Sequence, residues 1–281
     1  MRFHNQKKFL RVAPQTVTIN KISDKELVTL AKNFEAEILS NVEVAEKIFR
    51  LIADAPELAE NARAGQFVHV KISDEFTLRR PLGIASTAGG HVKIFYRVVG
   101  RGTESLSTKK AGEFLSILGA LGNGYSPRNG KILLVGGGMG LAPLLFAAES
   151  YSADILIGGR TRDEVIFWQE EFRPHVETIS ITTDDGSYAK KGFVIDLLPE
   201  ILAAKNYSAI YTCGPEVMMR GVAKLAKEKN LSCEVSFEKR MACGLGACLS
   251  CSIDTVDGRR KVCKDGPIFD AQKVFGGEPR E

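Results

Sequence analysis

The sequence predicts an antiparallel β-barrel, then a doubly wound α/β domain, then a short cysteine-rich tail. Alternating strand patterns occupy residues 34 to about 118, and a strand, glycine turn and helix open near Lys131. Four of the six cysteines fall within the 21 residues Cys243–Cys263. The chain has 281 residues, long enough for two domains, and its 44% hydrophobic and 26% charged composition is that of a globular chain, not a disordered or fibrous one.

Charge and hydropathy narrow the function. Thirty-eight Lys and Arg against 34 Asp and Glu leave +4, evenly spread, which makes no case for a nucleic-acid partner. The start, MRFHNQKKFL, lacks the apolar core of a signal peptide, and the longest apolar runs, Ile132–Val135 and Leu141–Ala148, fall far short of a membrane span. A cytoplasmic protein without a membrane partner is expected. In that reducing compartment cysteines serve more often as metal ligands or buried apolar residues than as disulfides.

Taken in order, residues 1–33 read as an extension of open role, with Ser23-Asp24 and the spacing of Leu27, Leu30 and Ala31 suiting a short capped helix. Residues 34–128 read as the barrel. Gln66–Ile72 alternates apolar and polar positions, and His91–Val99 places Val92, Ile94, Tyr96 and Val98 on one face. Residues 129–232 read as the α/β domain, with strands at Lys131–Val135, Asp154–Ile157, Thr178–Thr183 and Ala209–Cys213. Helices are expected at Leu141–Glu149, Glu164–Phe172, Phe193–Ala203 and Glu216–Lys229. Residues 233–281 hold the clustered cysteines and are too short for a core of their own, so a ligand is expected to organise them.

Cys243, Cys248, Cys251 and Cys263 are spaced C-x4-C-x2-C-x11-C. C-x4-C-x2-C with a remote fourth cysteine is the plant-type [2Fe-2S] arrangement, in which four thiolates complete two tetrahedral irons. Gly244, Gly246 and Ala247 suit it, because small residues let backbone N–H groups approach the sulfurs. A zinc staple is the alternative, although zinc favours two short pairs and only one exists here. Cys233 reads as a small buried hydrophobe, whereas Cys213, before Gly214-Pro215 at a strand end, is placed either in the core or beside a bound nucleotide.

Gly136-Gly137-Gly138-Met139-Gly140 is not the G-x-G-x-x-G fingerprint, yet glycines ahead of a helix can admit a pyrophosphate, so Gly136, Gly137 and Gly138 are candidates for NAD; a purely structural turn is the alternative. Arg79-Arg80-Pro81-Leu82-Gly83 sets two guanidinium groups ahead of a proline-fixed strand, which would suit a flavin pyrophosphate, although two adjacent arginines read alone are usually a solvated edge. Phe95-Tyr96-Arg97 and Gly100-Arg101-Gly102-Thr103 add aromatics, a cation and a turn, the aromatics being read as core or as flavin contacts.

These motifs, with Leu121-Gly122-Asn123-Gly124-Tyr125, Asp185-Gly186-Ser187, Lys239-Arg240-Met241 and Lys261-Val262-Cys263-Lys264-Asp265-Gly266-Pro267, resemble the ferredoxin–NADP reductase superfamily. More narrowly, residues 35 to 275 resemble the electron-transfer subunits of bacterial NAD-dependent dihydroorotate dehydrogenases. The resemblance implies a β-barrel FAD domain, an α/β doubly wound nucleotide-binding domain and a C-terminal [2Fe-2S] segment. It assigns FAD contacts to Arg80, Pro81, Leu82, Gly83, Phe95, Tyr96, Arg97, Gly102 and Thr103, and the cluster to Cys243, Cys248, Cys251 and Cys263. Gly83 departs from that family, where serine follows the Arg-Pro pair.

The resemblance further implies an oxidoreductase subunit in pyrimidine biosynthesis. The subunit so implied would relay electrons between NAD(H) and an FMN-binding dihydroorotate dehydrogenase catalytic subunit, in a heterotetramer. No catalytic acid or base is nominated, because hydride exchange between flavin and nicotinamide needs stacking and orientation. The rivals are a related FAD and [2Fe-2S] subunit of a cytosolic hydrogenase or of a ferredoxin–NADP oxidoreductase complex, and a zinc-stapled, non-catalytic nucleotide-binding regulator. Arg160 and Arg162 follow a strand where a 2′-phosphate of NADP can bind, while family expectation favours NAD.

Overall fold

The computed structural model describes residues 31–277. The short capped helix expected around Leu27 and Leu30 lies outside them. The barrel is built from β1 (Lys32–Ala45), β2 (Ile48–Asp54), β3 (Phe67–Lys71), β4 (Arg80–Ser86), β5 (His91–Arg97) and β6 (Phe114–Leu121), with helices α1 (Pro56–Asn61) and α2 (Arg101–Ser107) in its connections. It closes in the order β1-β2-β5-β4-β3-β6 because the long β1 pairs with β2 along one edge and β6 along the other. Alternation fills the interior: Val68 and Val70 of β3, Val92 and Ile94 of β5, and Leu115 and Ile117 of β6 are all buried.

The second layer contains β7 (Ile132–Gly137), α3 (Leu141–Ser150), β8 (Ala153–Gly159), α4 (Arg162–Phe172), β9 (Ile179–Thr183), β10 (Lys190–Lys191), α5 (Val194–Ala204), β11 (Ala209–Cys213), α6 (Glu216–Glu228) and β12 (Ser232–Ser236). Every residue of β7 and β11 is buried, as strands covered on both faces require. Helix α6 turns Met219, Val222, Ala223 and Ala226 inward at the spacing of a helical face.

The tail holds a hairpin of β13 (Ser252–Thr255) and β14 (Gly258–Lys261), then α7 (Val262–Asp265), β15 (Ile268–Asp270) and α8 (Ala271–Phe275). The main sheet runs β10-β9-β8-β7-β11-β12-β15, its last strand antiparallel to β12. The sheet therefore continues past residue 232 into the tail. Cys251, Ile253, Val262, Cys263 and Phe269 pack in one core with Val235 and Phe237 of the α/β layer and with Phe67 and Leu121 of the barrel. The expectation that a ligand alone organises the tail is corrected: it borrows apolar partners from both neighbours. Among the described residues no helix is long and apolar enough to cross a membrane.

Candidate cofactor sites

A cleft of about 870 Å³ lies between the barrel and the α/β layer, within the range of cofactor sites. Arg80, Pro81, Leu82 and Gly83 of β4, Phe95, Tyr96 and Arg97 of β5, and Thr103 of α2 line it, opposite Met139, Ala142 and Pro143. Phe76 and the stretch Ser236–Met241 line it too.

The two adjacent arginines have different environments. Arg79 is consumed by the barrel, donating to the Ser116 carbonyl at 2.8 Å, to the His69 carbonyl at 3.2 Å and to Asn33 at 2.9 Å. Arg80 stacks its guanidinium over the Phe76 ring at 5.3 Å and donates to the Leu78 carbonyl. Among the described residues no carboxylate pairs with it. Gly102, although not part of the cleft wall, lies against that guanidinium, and a Cβ there would stand 2.4 Å from Nη2. A free cation at the cleft wall, held in place by Phe76 and Gly102, fits a pyrophosphate.

Other expected residues offer less. Phe95 packs on Trp168 of α4 at 4.8 Å, and Tyr96 stacks on Phe49 at 5.5 Å while its hydroxyl donates to Asn41 at 2.9 Å. Arg97 faces Glu164 at 3.9 Å. Thr103 is occupied with its own turn, accepting from the Val99 N–H at 2.9 Å. At Gly83 a Cβ would meet Pro143 at 3.6 Å, an ordinary contact, so the missing serine is not excluded by space.

Gly136, Gly137, Gly138 and Cys213 gather at the carboxyl ends of β7 and β11, outside the lining of that cleft. The parallel order β9-β8-β7-β11-β12 reverses direction there, which is where doubly wound sheets bind nucleotides. A Cβ on Gly136 would reach Leu141 at 2.5 Å, so this glycine lets α3 sit close to the sheet, and Gly138, at φ +58°, makes the turn with open space beside it. Cys213 is fully buried and burial pushes its thiol well up; its carbonyl and the Gly214 nitrogen lie against Gly140 of the turn. Arg160 at the end of β8 is clamped by Glu164, with Nε donating at 2.9 Å and the backbone N–H at 2.9 Å.

The four tail cysteines are free thiols in one loop system. Leu245 and Cys248 each aim a backbone N–H at Cys243 Sγ from 3.4 Å, Gly246 aims one at Cys263 Sγ from 3.2 Å, and Cys263 aims its own at Cys251 Sγ from 3.4 Å. Gly244 and Gly246 hold the turn at φ +70° and +78°. Burial pushes the Cys243 thiol up, but the N–H groups of Cys248 and Leu245 outweigh it and hold the pKa down at about 6. Burial and the neighbouring Cys251 push Cys263 up to about 12. Backbone donors converging on sulfur are what an anionic iron–sulfur cluster needs. No three of the described His, Cys, Asp or Glu side chains converge as ligands of one mononuclear ion would; a two-iron cluster asks instead for two pairs of thiolates.

Sequence reasoning missed Phe76, the Ser236–Phe237–Glu238 part of the cleft wall, and His69. Alternation along β3 sets His69 on the face opposite Val68 and Val70, and because the tail covers that face His69 is fully buried.

Barrel, switch-point sheet and thiolate loop together define a flavin reductase of the ferredoxin–NADP reductase class with an appended iron–sulfur segment. Residues 238–275 match the family described as the iron–sulfur cluster binding domain of dihydroorotate dehydrogenase B. The chain is 36% identical over 248 residues to the dihydroorotate dehydrogenase B (NAD(+)) electron transfer subunit of Clostridium perfringens, covering 86% of this chain and 97% of that one. It is 36% identical over 252 residues to the same subunit of Clostridium acetobutylicum, covering 87% and 96%. Among solved structures, that of an NADH-dependent reduced ferredoxin–NADP oxidoreductase matches with a TM-score of 0.77 and 30% identity, covering 85% of this chain and 89% of that one. The chain belongs to the family of dihydroorotate dehydrogenase B (NAD(+)) electron transfer subunits. It is an electron-carrying oxidoreductase subunit that works with a catalytic partner.

Proposed function

We propose that the chain passes electrons between NAD(H) and an FMN-bearing subunit that oxidises dihydroorotate, in a heterotetramer. The observation that carries the reading is the placement of the cysteine loop: the stretch Ser236–Met241 that leads into it also forms a wall of the Arg80 cleft. In this reading Arg80 binds the FAD pyrophosphate, Pro81–Gly83 and Thr103 shape the flavin seat, and Phe95, Tyr96 and Arg97 support it from β5. Gly137 and Gly138 admit the nicotinamide dinucleotide at the switch point. Cys243, Cys248, Cys251 and Cys263 hold the two-iron cluster.

When bound, FAD exchanges a hydride with nicotinamide and the cluster carries electrons singly. The chain's residues supply orientation and exclusion of water. Glu164, clamped on Arg160, sets a carboxylate where a 2′-phosphate would bind, which supports NAD over NADP. Cys251 and Cys263 are buried, whereas Cys243 and Cys248 are half-exposed beside Leu245 and Leu249, 53% and 66% exposed, an apolar rim suited to a partner subunit.

The test mixes the purified chain with an FMN-bearing dihydroorotate-oxidising subunit and measures dihydroorotate-dependent NAD reduction, with mass measurement of the complex. Coupled turnover is expected, and Cys248→Ser should abolish it while NADH-to-dye activity survives. Dihydroorotate oxidation by the chain alone, full coupled turnover by Cys248→Ser, or stoichiometric zinc without sulfide in the wild type would refute it.

A further inference from the structure

Strand β3 carries Val68 and Val70 into the barrel interior, so its alternate residues, Phe67 and His69, project from the opposite face. Phe67 lies in the apolar core shared with Cys251, Cys263, Phe237 and Met241, and His69 meets it edge-on at 5.8 Å. A Cβ on Gly244 would stand 2.8 Å from both Cε1 and Nδ1 of His69 and 3.1 Å from Nε2. The nitrogen-bearing edge of the imidazole is therefore pressed on the turn just after Cys243. On its other side, His69 pairs across the sheet with Pro81 of the Arg-Pro motif.

The ring is completely buried, and among the described residues neither nitrogen has a hydrogen-bond partner. Buried polar groups are nearly always satisfied, so an unmet imidazole beside a ligand loop asks what it serves. Leucine would fill the same space with no orphaned donor. Burial, with Arg79 beside it, lowers the pKa of the ring to about 4, which leaves it neutral with a single N–H.

We propose that His69 is a positioning residue for the iron–sulfur cluster, its ring N–H donating a hydrogen bond to a sulfur at the Cys243 side of the cluster and favouring the reduced state. Donors to cluster sulfurs stabilise the extra negative charge of reduction, as the backbone N–H groups of the loop do. The requirement for glycine at position 244 then has a second cause besides its φ of +70°: any side chain would part the imidazole from the loop. The inference rests on the reading that the four cysteines hold a two-iron cluster.

The experiment uses the full chain purified anaerobically with its cofactors, as wild type, His69→Gln and His69→Leu. Iron and labile sulfide are counted first; a wild type without two of each refutes the cluster reading itself. In loaded protein the cluster is titrated by EPR. His69→Leu should be about tenfold harder to reduce in equilibrium terms, about 59 mV for one electron, and His69→Gln, which keeps an N–H, should fall between. Pulsed EPR of reduced wild type carrying 15N-histidine should show a weak histidine coupling, a measurement that holds even if His69→Leu fails to assemble. A loaded His69→Leu with wild-type potential, or no histidine coupling in the reduced wild type, would overturn the proposal and leave His69 as core filling.

Discussion

Gly102→Ala separates flavin binding from folding more cleanly than removal of Arg80 does. The new methyl would stand 2.4 Å from Arg80 Nη2, 2.5 Å from Nε and 2.7 Å from Cζ, and no backbone atom is among its nearest neighbours. The guanidinium is the far end of a flexible side chain, so it can swing off Phe76 and the fold has little to lose; alanine in place of glycine within α2 gains up to about 1 kcal/mol of helix propensity. With Arg80 on the FAD pyrophosphate as proposed, FAD should in contrast lose a charge-assisted phosphate contact of about 1.5–3 kcal/mol, which is roughly ten- to 150-fold in Kd at about 1.4 kcal/mol per decade. Flavin fluorescence titration of the apoprotein reads the affinity and a thermal melt of the same apoprotein reads the fold. Gly100→Ala is the control, because nothing lies within 4 Å of its Cβ position. The reasoning fails if Gly102→Ala binds FAD within twofold of wild type, or if it loses flavin only because the apoprotein has unfolded.

Three further outcomes follow from the same geometry. Gly83→Ser should fold normally, since its Cβ meets only Pro143 at 3.6 Å. It should tighten FAD about two- to tenfold through one added hydrogen bond; weaker binding in the same titration would contradict this. Asp154 is 97% buried and accepts from Lys205 at 2.8 Å and Tyr207 at 2.9 Å; burial pushes its carboxyl up, but those hydrogen bonds outweigh it and hold the pKa below the ordinary 3.8. Its stabilisation is therefore present above about pH 4 and lost as pH falls through the depressed folded value. Asp154→Asn should cost about 2 kcal/mol and lower Tm by about 4–8 °C at neutral pH, with the difference from wild type closing in melts below pH 4. Glu164→Gln should free Arg160 and raise kcat/KM for NADPH relative to NADH about tenfold, the worth of one ion pair of about 1.4 kcal/mol; an unchanged ratio in dye reduction would remove Glu164 from cofactor choice.

What the sequence made legible was whatever is written in local period and spacing. The β7 strand, its glycine turn and α3 can be read from neighbouring residues, and so can the four-cysteine spacing, because one short loop supplies three of the ligands. Contacts between distant segments were not legible. Arg79 and Arg80 look alike as a pair, and only the barrel shows that Ser116 and Asn33 take up the first while Phe76 holds the second at the cleft. Ser236–Met241 carries no nucleotide motif and becomes a cleft wall because β12 ends there. The surroundings of His69 depend on a distant segment too: the face of β3 opposite the barrel interior is closed over by the tail.

That closure explains how a tail with little apolar material of its own can hold a redox centre rigidly. Three of its thiols sit on a loop that turns through Gly244 and Gly246 at positive φ, and such a loop would be floppy if it hung from a linker. Here Phe269 of β15 and Val262 of α7 pack with Phe237 and Val235 of the α/β layer, while Phe67 and Leu121 of the barrel reach into the same core. Asn123, just past β6, donates from its side chain to the Ile268 carbonyl at 2.8 Å and accepts the Ile268 N–H at 2.9 Å, so the strand that closes the barrel is stitched to the strand that ends the sheet. The loop is thus referenced to both walls of the Arg80 cleft at once. Reorganisation on electron transfer is smallest when donor and acceptor are held by one packed body, and a shared core achieves this with few residues.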